Sequence, residues 1–465
     1  MTDQAQISLE AVVDEPERGY GVDEALVRAC DAAVADGRME EVESLISGLH
    51  VSDLADLLEE LVGENRRKLL DHVRDHLDPE LLTHMDDVVR EDVLEILEPE
   101  EVAAVLSELD TDDALDVFED IPEADQKGVL LQLSPSDRAL LEQAMTYPED
   151  SAGRLMQREL VTVPKDWSVG NTIDYLRNRA ASLPRDFYEI YAVDEERIPV
   201  GTIPLSRLMR NQRDVRIDDI MLTELRSAYV EMDQEEVALM FTQYALVSAP
   251  VVNENGQLVG VITADDVVHV IQEEAEEDFL RLGGVQEDDF YEAVFETTRA
   301  RFSWLLVNLG TAIVASLVIS LFDAAIERVV ALAVLMPIVA SMGGNAGTQT
   351  LTVAVRALAM KELTPTNAAR IVGKEVIVGG INGILFACLV GLVTWAWFGD
   401  AAIGIVIGAA MIVNMLIAGF AGVTIPIVLQ KMKVDPAVGS AVILTTITDV
   451  VGFMAFLGLA AIVLL

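Results

Sequence analysis

Two cysteines and five histidines in 465 residues are too few for a disulfide framework or a nitrogen- and sulfur-ligated metal centre. Cys30 and Cys388 have no metal-ligand spacing, and both thiols are read as inert. Positive charge is also scarce: 32 Lys+Arg stand against 78 Asp+Glu, a formal net charge of -46. A surface of that sign repels nucleic acid and anionic lipid headgroups and attracts cations, which excludes nucleic-acid binding. Lysine is scarcest, 7 against 25 Arg, a balance matching adaptation to high intracellular salt in which most surface acids serve general solvation. The first residues carry Asp3, Glu10, Asp14, Glu15 and Glu17 and lack the basic segment and apolar core of a secretory signal, so the soluble part is expected in the cytoplasm. No nucleophile–base pair or phosphate loop is recognisable, and no enzymatic activity is expected.

The charge is unevenly distributed. Residues 1–300 hold 24 Lys+Arg and 71 Asp+Glu, whereas residues 301–465 hold 8 and 7. That second part contains five apolar runs, from Phe302 to Phe322, Val329 to Val355, Val376 to Phe398, Ala401 to Gln430 and Ala437 to Leu465. Each is long enough to cross a bilayer as a helix rising 1.5 Å per residue. The first four lack any Asp, Glu, Lys, Arg or His; the fifth holds a lone carboxylate, Asp449. An ionised side chain at the bilayer centre costs at least ~2.5–3.5 kcal/mol on insertion scales, so a carboxylate kept there signals function. With the N-terminal part inside, five spans leave the C-terminus outside. Arg299, Arg301, Arg356, Lys361, Arg370, Lys374, Lys431 and Lys433 then lie on the inner side and Arg328 alone outside, as the positive-inside rule requires. A multi-pass protein of the cell membrane is expected.

Before the spans the chain changes character three times. Residues 1–20 read as an acidic flexible tail. Residues 21–150 repeat short amphipathic helical units with acidic starts, such as DLADLLEEL, PEEVAAVLSEL and TDDALDVFEDI, and read as an all-helical, solenoid-like domain. Residues 151–271 carry two units of strand, helix, strand, strand, helix, at about 151–215 and 216–271. The second, with SAPVV, an Asn255-Gly256 turn and LVGVIT, is the clearer. This tandem resembles a pair of CBS domains. Such pairs often bind adenine nucleotides through an acid after a Thr at the sheet end; Thr263 and Asp266 fit in the second copy, whereas the first has Pro204 and Arg207, so ATP is a possible ligand. Residues 272–301 form an acidic connecting helix into the first span, and 302–465 the five-span domain.

In the second run, MPIVASMGGNAGTQT gathers Gly343, Gly344, Asn345 and Gly347 after Pro337, which predicts a break in the helix beside protein or a water-filled cavity. In the fifth, Thr445 lies one turn before Asp449 with Thr448 adjacent, on one face. Ser341, Gly344, Asn345, Thr445 and Asp449 are the candidate pore residues. Their ligands are hard oxygens, which select Mg²⁺ or Ca²⁺ over zinc or copper. One carboxylate with a few carbonyls suits Mg²⁺, which keeps its waters.

The order of helical domain, CBS pair, acidic connector and five spans, with PIVASMGGNAGTQ and TTITDVVG, resembles the MgtE family of magnesium channels. The resemblance implies a homodimer in the lipid bilayer with one pore at its axis, Asp449 at the ion site, and closure by Mg²⁺ bound among the helical domain, CBS pair and connecting helix. The regulatory acids it implies are Glu80, Asp112 and Asp116 in the helical domain, Asp233, Glu235 and Asp266 in the CBS pair, and Glu274, Glu277 and Asp278 in the connecting helix. Ala245 and His269 depart from the pattern, where acids are expected. Two other readings compete: a proton- or sodium-coupled carrier of divalent cations, which lacks a second titratable group in the spans, and a membrane-anchored CBS sensor, which needs no Asp449.

Overall fold

The computed structural model describes residues 21–184, 187–285 and 294–464. The acidic tail expected at 1–20 and residues 286–293 of the connecting segment lie outside the described residues. The chain divides into two compact units, Met1–Val267 and Val268–Leu465.

In the first unit, local signals in the sequence start one short helix after another from Glu24–Ala35 to Pro135–Ala144. Asp23, Asp86 and Ser134 accept backbone N–H groups at the starts of their helices, and Glu98 with Glu101 forms a capping box behind Pro99. None of these helices could stand alone at four to twelve residues. They are stabilised by sharing one apolar core, in which Leu57, Leu69, Leu82 and Phe118 are fully buried.

The two following modules repeat one another strand for strand. Strands β1 (Thr162–Pro164), β2 (Glu189–Val193) and β3 (Pro199–Pro204) form one sheet, and β4 (Ala228–Tyr229), β5 (Ser248–Val252) and β6 (Leu258–Thr263) the other. In both, the first pair is parallel, the second antiparallel, and the register slips at the equivalent place, Ala192/Val193 and Val251/Val252. The β5–β6 turn is set by Asn253, whose Oδ1 accepts from Asn255 N and Gln257 N, and by Gly256 at φ 75°. The last helix runs unbroken from Ala264 to Gly283.

In the second unit the five long apolar helices are Val294–Ser320, Ala331–Ala359, Ala368–Phe398, Ala401–Lys431 and Ser440–Val463, called here the first to fifth spans. The fourth is buried repeatedly from Ile403 to Pro426 and serves as the packing axis. Leu335 and Val339 of the second span, Ile407 and Ala410 of the fourth, and Phe456 and Leu457 of the fifth form one core cluster.

The break expected in the second span is absent. Ala331–Ala359 is one continuous helix through Pro337 and the glycines. In a bilayer an opened backbone leaves polar groups without water, so the helix persists unless something replaces its hydrogen bonds. The glycines serve close approach instead: a Cβ on Gly343 would lie 2.1 Å from Asn414 Nδ2, and one on Gly347 3.0 Å from Leu444. Gly344 therefore offers no turned-out carbonyl, which corrects its expected role as a backbone ligand.

Candidate ion sites

The fifth span rises about 36 Å over its 24 residues, and Asp449 lies about 14 Å from its start, in the middle third of the helix. Among the described residues no side chain pairs with its carboxylate. Thr445 and Asp449 share a face. Thr445 Oγ1 donates to Ala441 O at 3.0 Å, and the buried Thr448 donates to Thr445 O at 3.0 Å. Both hydroxyl protons are thus held by backbone, leaving oxygen lone pairs and the carboxylate as what a cation would meet. Ser341 and Asn345 lie one turn apart on an exposed face of the second span. Exposed amides and hydroxyls at that depth call for water or protein rather than lipid.

A third polar group, which the sequence reading passed over, is Asn414. It is fully buried in the middle of the fourth span; its Nδ2 donates to Val339 O at 2.8 Å, and its Oδ1 is buried without a hydrogen-bond partner. It fits only because Gly343 of the second span and Gly452 of the fifth carry no side chain; a Cβ on Gly452 would sit 2.8 Å from Nδ2. Gly452→Ala is expected to lower stability by about 1–3 kcal/mol through overpacking, read as a fall in the melting temperature of the purified protein. An unchanged melting temperature would show that the fit is loose.

In the first unit, Asp112 and Asp113 open the helix Thr111–Glu119, and Asp266 stands beside them at the start of Ala264–Gly283. Burial and the Asp266 charge push the Asp112 carboxyl well above the usual range. The same causes, with Asp110, Asp116 and Glu80 nearby, push Asp113 up to about 7. Asp112 Oδ1 is buried without a hydrogen-bond partner. Such a cluster of like charges accepts a cation or protons.

Asp116 differs from this expectation. The buried Arg90 guanidinium reaches Asp116 Oδ2 at 2.8 Å and also binds Asp87 and Asp120, so Asp116 already has a cation. Asp113, absent from the expected set, takes its place in the cluster. Glu80 is exposed. Asp233 caps the helix Gln234–Tyr244 by accepting from Glu235 N at 2.9 Å, with Glu235 in the first turn. Ala245 ends that helix in a left-handed conformation at φ 50°, and His269 is exposed. Thr263 donates to Asp266 Oδ2 at 2.5 Å, closing the pair on itself.

In the second unit, Asp278 is half-buried. Burial, then Asp435 and then Glu274 push its carboxyl up to about 6. Arg281 bonds both Glu277 and, at 2.7 Å, Asp435 in the loop before the fifth span. Leu282 packs against Leu351, Ala437 and Leu444 at the ends of the second and fifth spans. Among the described residues no three His, Cys, Asp or Glu side chains stand close enough together to hold a metal ion directly.

Residues 336–459 match the family model described as divalent cation transporter, residues 49–150 the MgtE intracellular N domain, and residues 217–273 the CBS domain. The magnesium transporter MgtE of Thermus thermophilus is 32% identical over 450 residues, covering 95% of this chain and 99% of that protein. That of Bacillus subtilis is 28% identical over 426 residues, 91% of this chain and 94% of that one. A crystal structure of the cytosolic domain of the Mg²⁺ channel MgtE in complex with ATP is similar at 30% identity over 52% of this chain and 99% of that chain, with a TM-score of 0.48. With a relative 32% identical across 95% of its length, the chain belongs to the MgtE family of divalent cation transporters.

Proposed function

We propose that the chain is a Mg²⁺ channel of the cell membrane, working as a homodimer and closed by intracellular Mg²⁺. The observation that carries the pore reading is Asp449, an unpaired carboxylate in the middle third of the fifth span. The relatives' names supply the ion. Mg²⁺ keeps its waters, so one carboxylate with Thr445 and Asn345 oxygens suffices where Ca²⁺ would ask for six to eight direct ligands. The exposed polar face of Ser341 and Asn345 is accounted for if a second copy covers it around a water-filled path. In this orientation the N-terminal domains are cytoplasmic and the C-terminus lies outside. Mg²⁺ flux into liposomes at several Mg²⁺ concentrations on the cytoplasmic face tests the ion and the gate together. Equal Ca²⁺ and Mg²⁺ flux under the same gradient would argue against a site for the hydrated ion.

The regulatory ions fit two clusters. Asp112, Asp113 and Asp266 would hold Mg²⁺ through its water shell in the first unit, for which the orphaned Asp112 Oδ1 is the structural support; Glu274 and Asp278, beside the Arg281-paired Asp435, would hold the hydrated ion in the second. Bound there, Mg²⁺ offsets the repulsion that raises the Asp112, Asp113 and Asp278 carboxyls. ATP is a weaker candidate ligand, because Asp266 faces the same carboxylates and a nucleotide's phosphates would be repelled there.

Protons compete for these sites. Asp113 at about 7 and Asp278 at about 6 take up protons as the solution turns acid. Because these folded-state values lie above the unfolded value, their protonated forms stabilise the fold below the unfolded carboxylate range, and that stability is lost as pH rises through about 6–7. The melting temperature in chelator should therefore fall between about pH 5 and about pH 8, and Mg²⁺ should restore most of the loss. The Mg²⁺ needed for closure should rise by up to about tenfold per pH unit on acidification below about 7, one proton being displaced. A closing concentration independent of pH would exclude these acids as ligands.

A further inference from the structure

The third span begins eight residues earlier than the apolar run alone suggests, and so brings Glu375 inside a membrane helix. Its side chain is only 13% exposed. Thr350 Oγ1 donates to Oε2 at 3.4 Å, and Lys374 Nζ, on a side chain 70% exposed, lies 3.3 Å from Oε1. Glu375 borders a cavity of about 200 Å³ among the second, third and fourth spans, lined also by Gln349, Thr350 and Asn382. The cavity wall is backbone at two points: a Cβ on Gly379 would lie 2.5 Å from Met415 O, and one on Gly419 2.6 Å from Glu375 O.

Neither the pore reading nor the gate uses this acid. A buried carboxylate in a span is costly unless it pairs or serves a pathway, and here its one cation, Lys374, reaches out toward the interface. The other polar groups are a hydroxyl and two amides, hard oxygens with no His or Cys. The cavity has room for several waters, so an ion could enter it with a water shell. We propose that this cavity is a second divalent-cation site, taking hydrated Mg²⁺ through its water shell, at the end of the third span that carries Arg370 and Lys374. The inference rests on the reading of the chain as a Mg²⁺ pathway. Lys374 weakens the site, as a staging position requires: an ion must enter favourably and still leave.

Two measurements on the full-length protein test it. In liposomes, Glu375→Gln should raise the Mg²⁺ concentration for half-maximal influx about tenfold, an effect of about 1.4 kcal/mol, and Glu375→Asp should recover part of that loss. On the native chain, an apolar carbodiimide should modify Glu375, as read by mass spectrometry, and Mg²⁺ should protect it, both natively and in Asp449→Asn. A Glu375→Gln protein that saturates at the native concentration overturns the site, as does labelling of Glu375 that is absent or indifferent to Mg²⁺. Protection by Na⁺ in place of Mg²⁺ overturns it in favour of a coupling site of a carrier. Failure of the native protein to conduct Mg²⁺ at all is a separate result, against the transport reading itself.

Discussion

Mg²⁺ flux through Asp449→Ala is expected to fall to the level of protein-free liposomes, with the protein still folded. Along the 24 residues of the fifth span Asp449 is the only ionisable group, and no described side chain neutralises it. The neighbouring hydroxyls cannot replace it, since Thr445 and Thr448 donate their protons to backbone carbonyls and carry no charge. A carboxylate is kept in the middle third of the helix against a cost of at least ~2.5–3.5 kcal/mol, so removing it stabilises the helix in lipid while deleting the electrostatic well. The variant should accordingly melt no lower than the native protein. Asp449→Asn, which keeps the shape and loses the charge, should be nearly as inactive. Native flux by a well-folded Asp449→Ala would remove Asp449 from the pore. A coupled carrier would instead show flux that follows an imposed proton or sodium gradient.

The parts of this fold that were legible in the sequence are those set by local pattern. Apolar runs marked all five spans, the first and third starting eight residues earlier than the runs, and the strand and turn signals of SAPVV, Asn255-Gly256 and LVGVIT marked β5 and β6. The misreading of Gly343 and Gly347 has a plain cause: glycine both breaks helices and lets them approach, and only the facing Asn414 and Leu444 decide which. Asn414 and Glu375 were missed because one is an uncharged amide within an apolar run and the other lies one residue before such a run. The different surroundings of Asp116 and Asp113 were hidden for a similar reason. Both are acids on one helix, and Arg90, 26 residues before Asp116, selects the one it pairs with. Asp435 belongs to the connecting helix through Arg281, a contact 154 residues apart in sequence. Spacing cannot report such partners.

The gate should fail open when its like charges are removed. In Asp112→Asn, Asp113→Asn, Asp278→Asn, conduction is expected to persist at cytoplasmic Mg²⁺ that closes the native channel, with the closing concentration raised at least about tenfold, since closure needs differential Mg²⁺ affinity between states. Like charges at ~4 Å repel by about 4 kcal/mol per pair at an effective dielectric of 20, so with the acids ionised each cluster stays compact only when a cation is bound. The helix Ala264–Gly283 carries Asp266 at its first turn and Asp278 near its last. From there Arg281 holds Asp435, and Leu282 packs on the core cluster that includes Ala437, just before the span bearing Asp449, and Leu444 within it. Loss of Mg²⁺ would separate the acids and release this end of the helix from the fifth span. Asp116→Asn supplies the contrast: it removes a partner of the buried Arg90 and should lower the melting temperature while leaving the closing concentration close to native. The measurements belong at more than one ionic strength, because salt screens exposed carboxylates more than buried ones. A triple variant that closes at the native Mg²⁺ concentration would mean that these carboxylates are surface solvation and that closure is driven elsewhere in the chain.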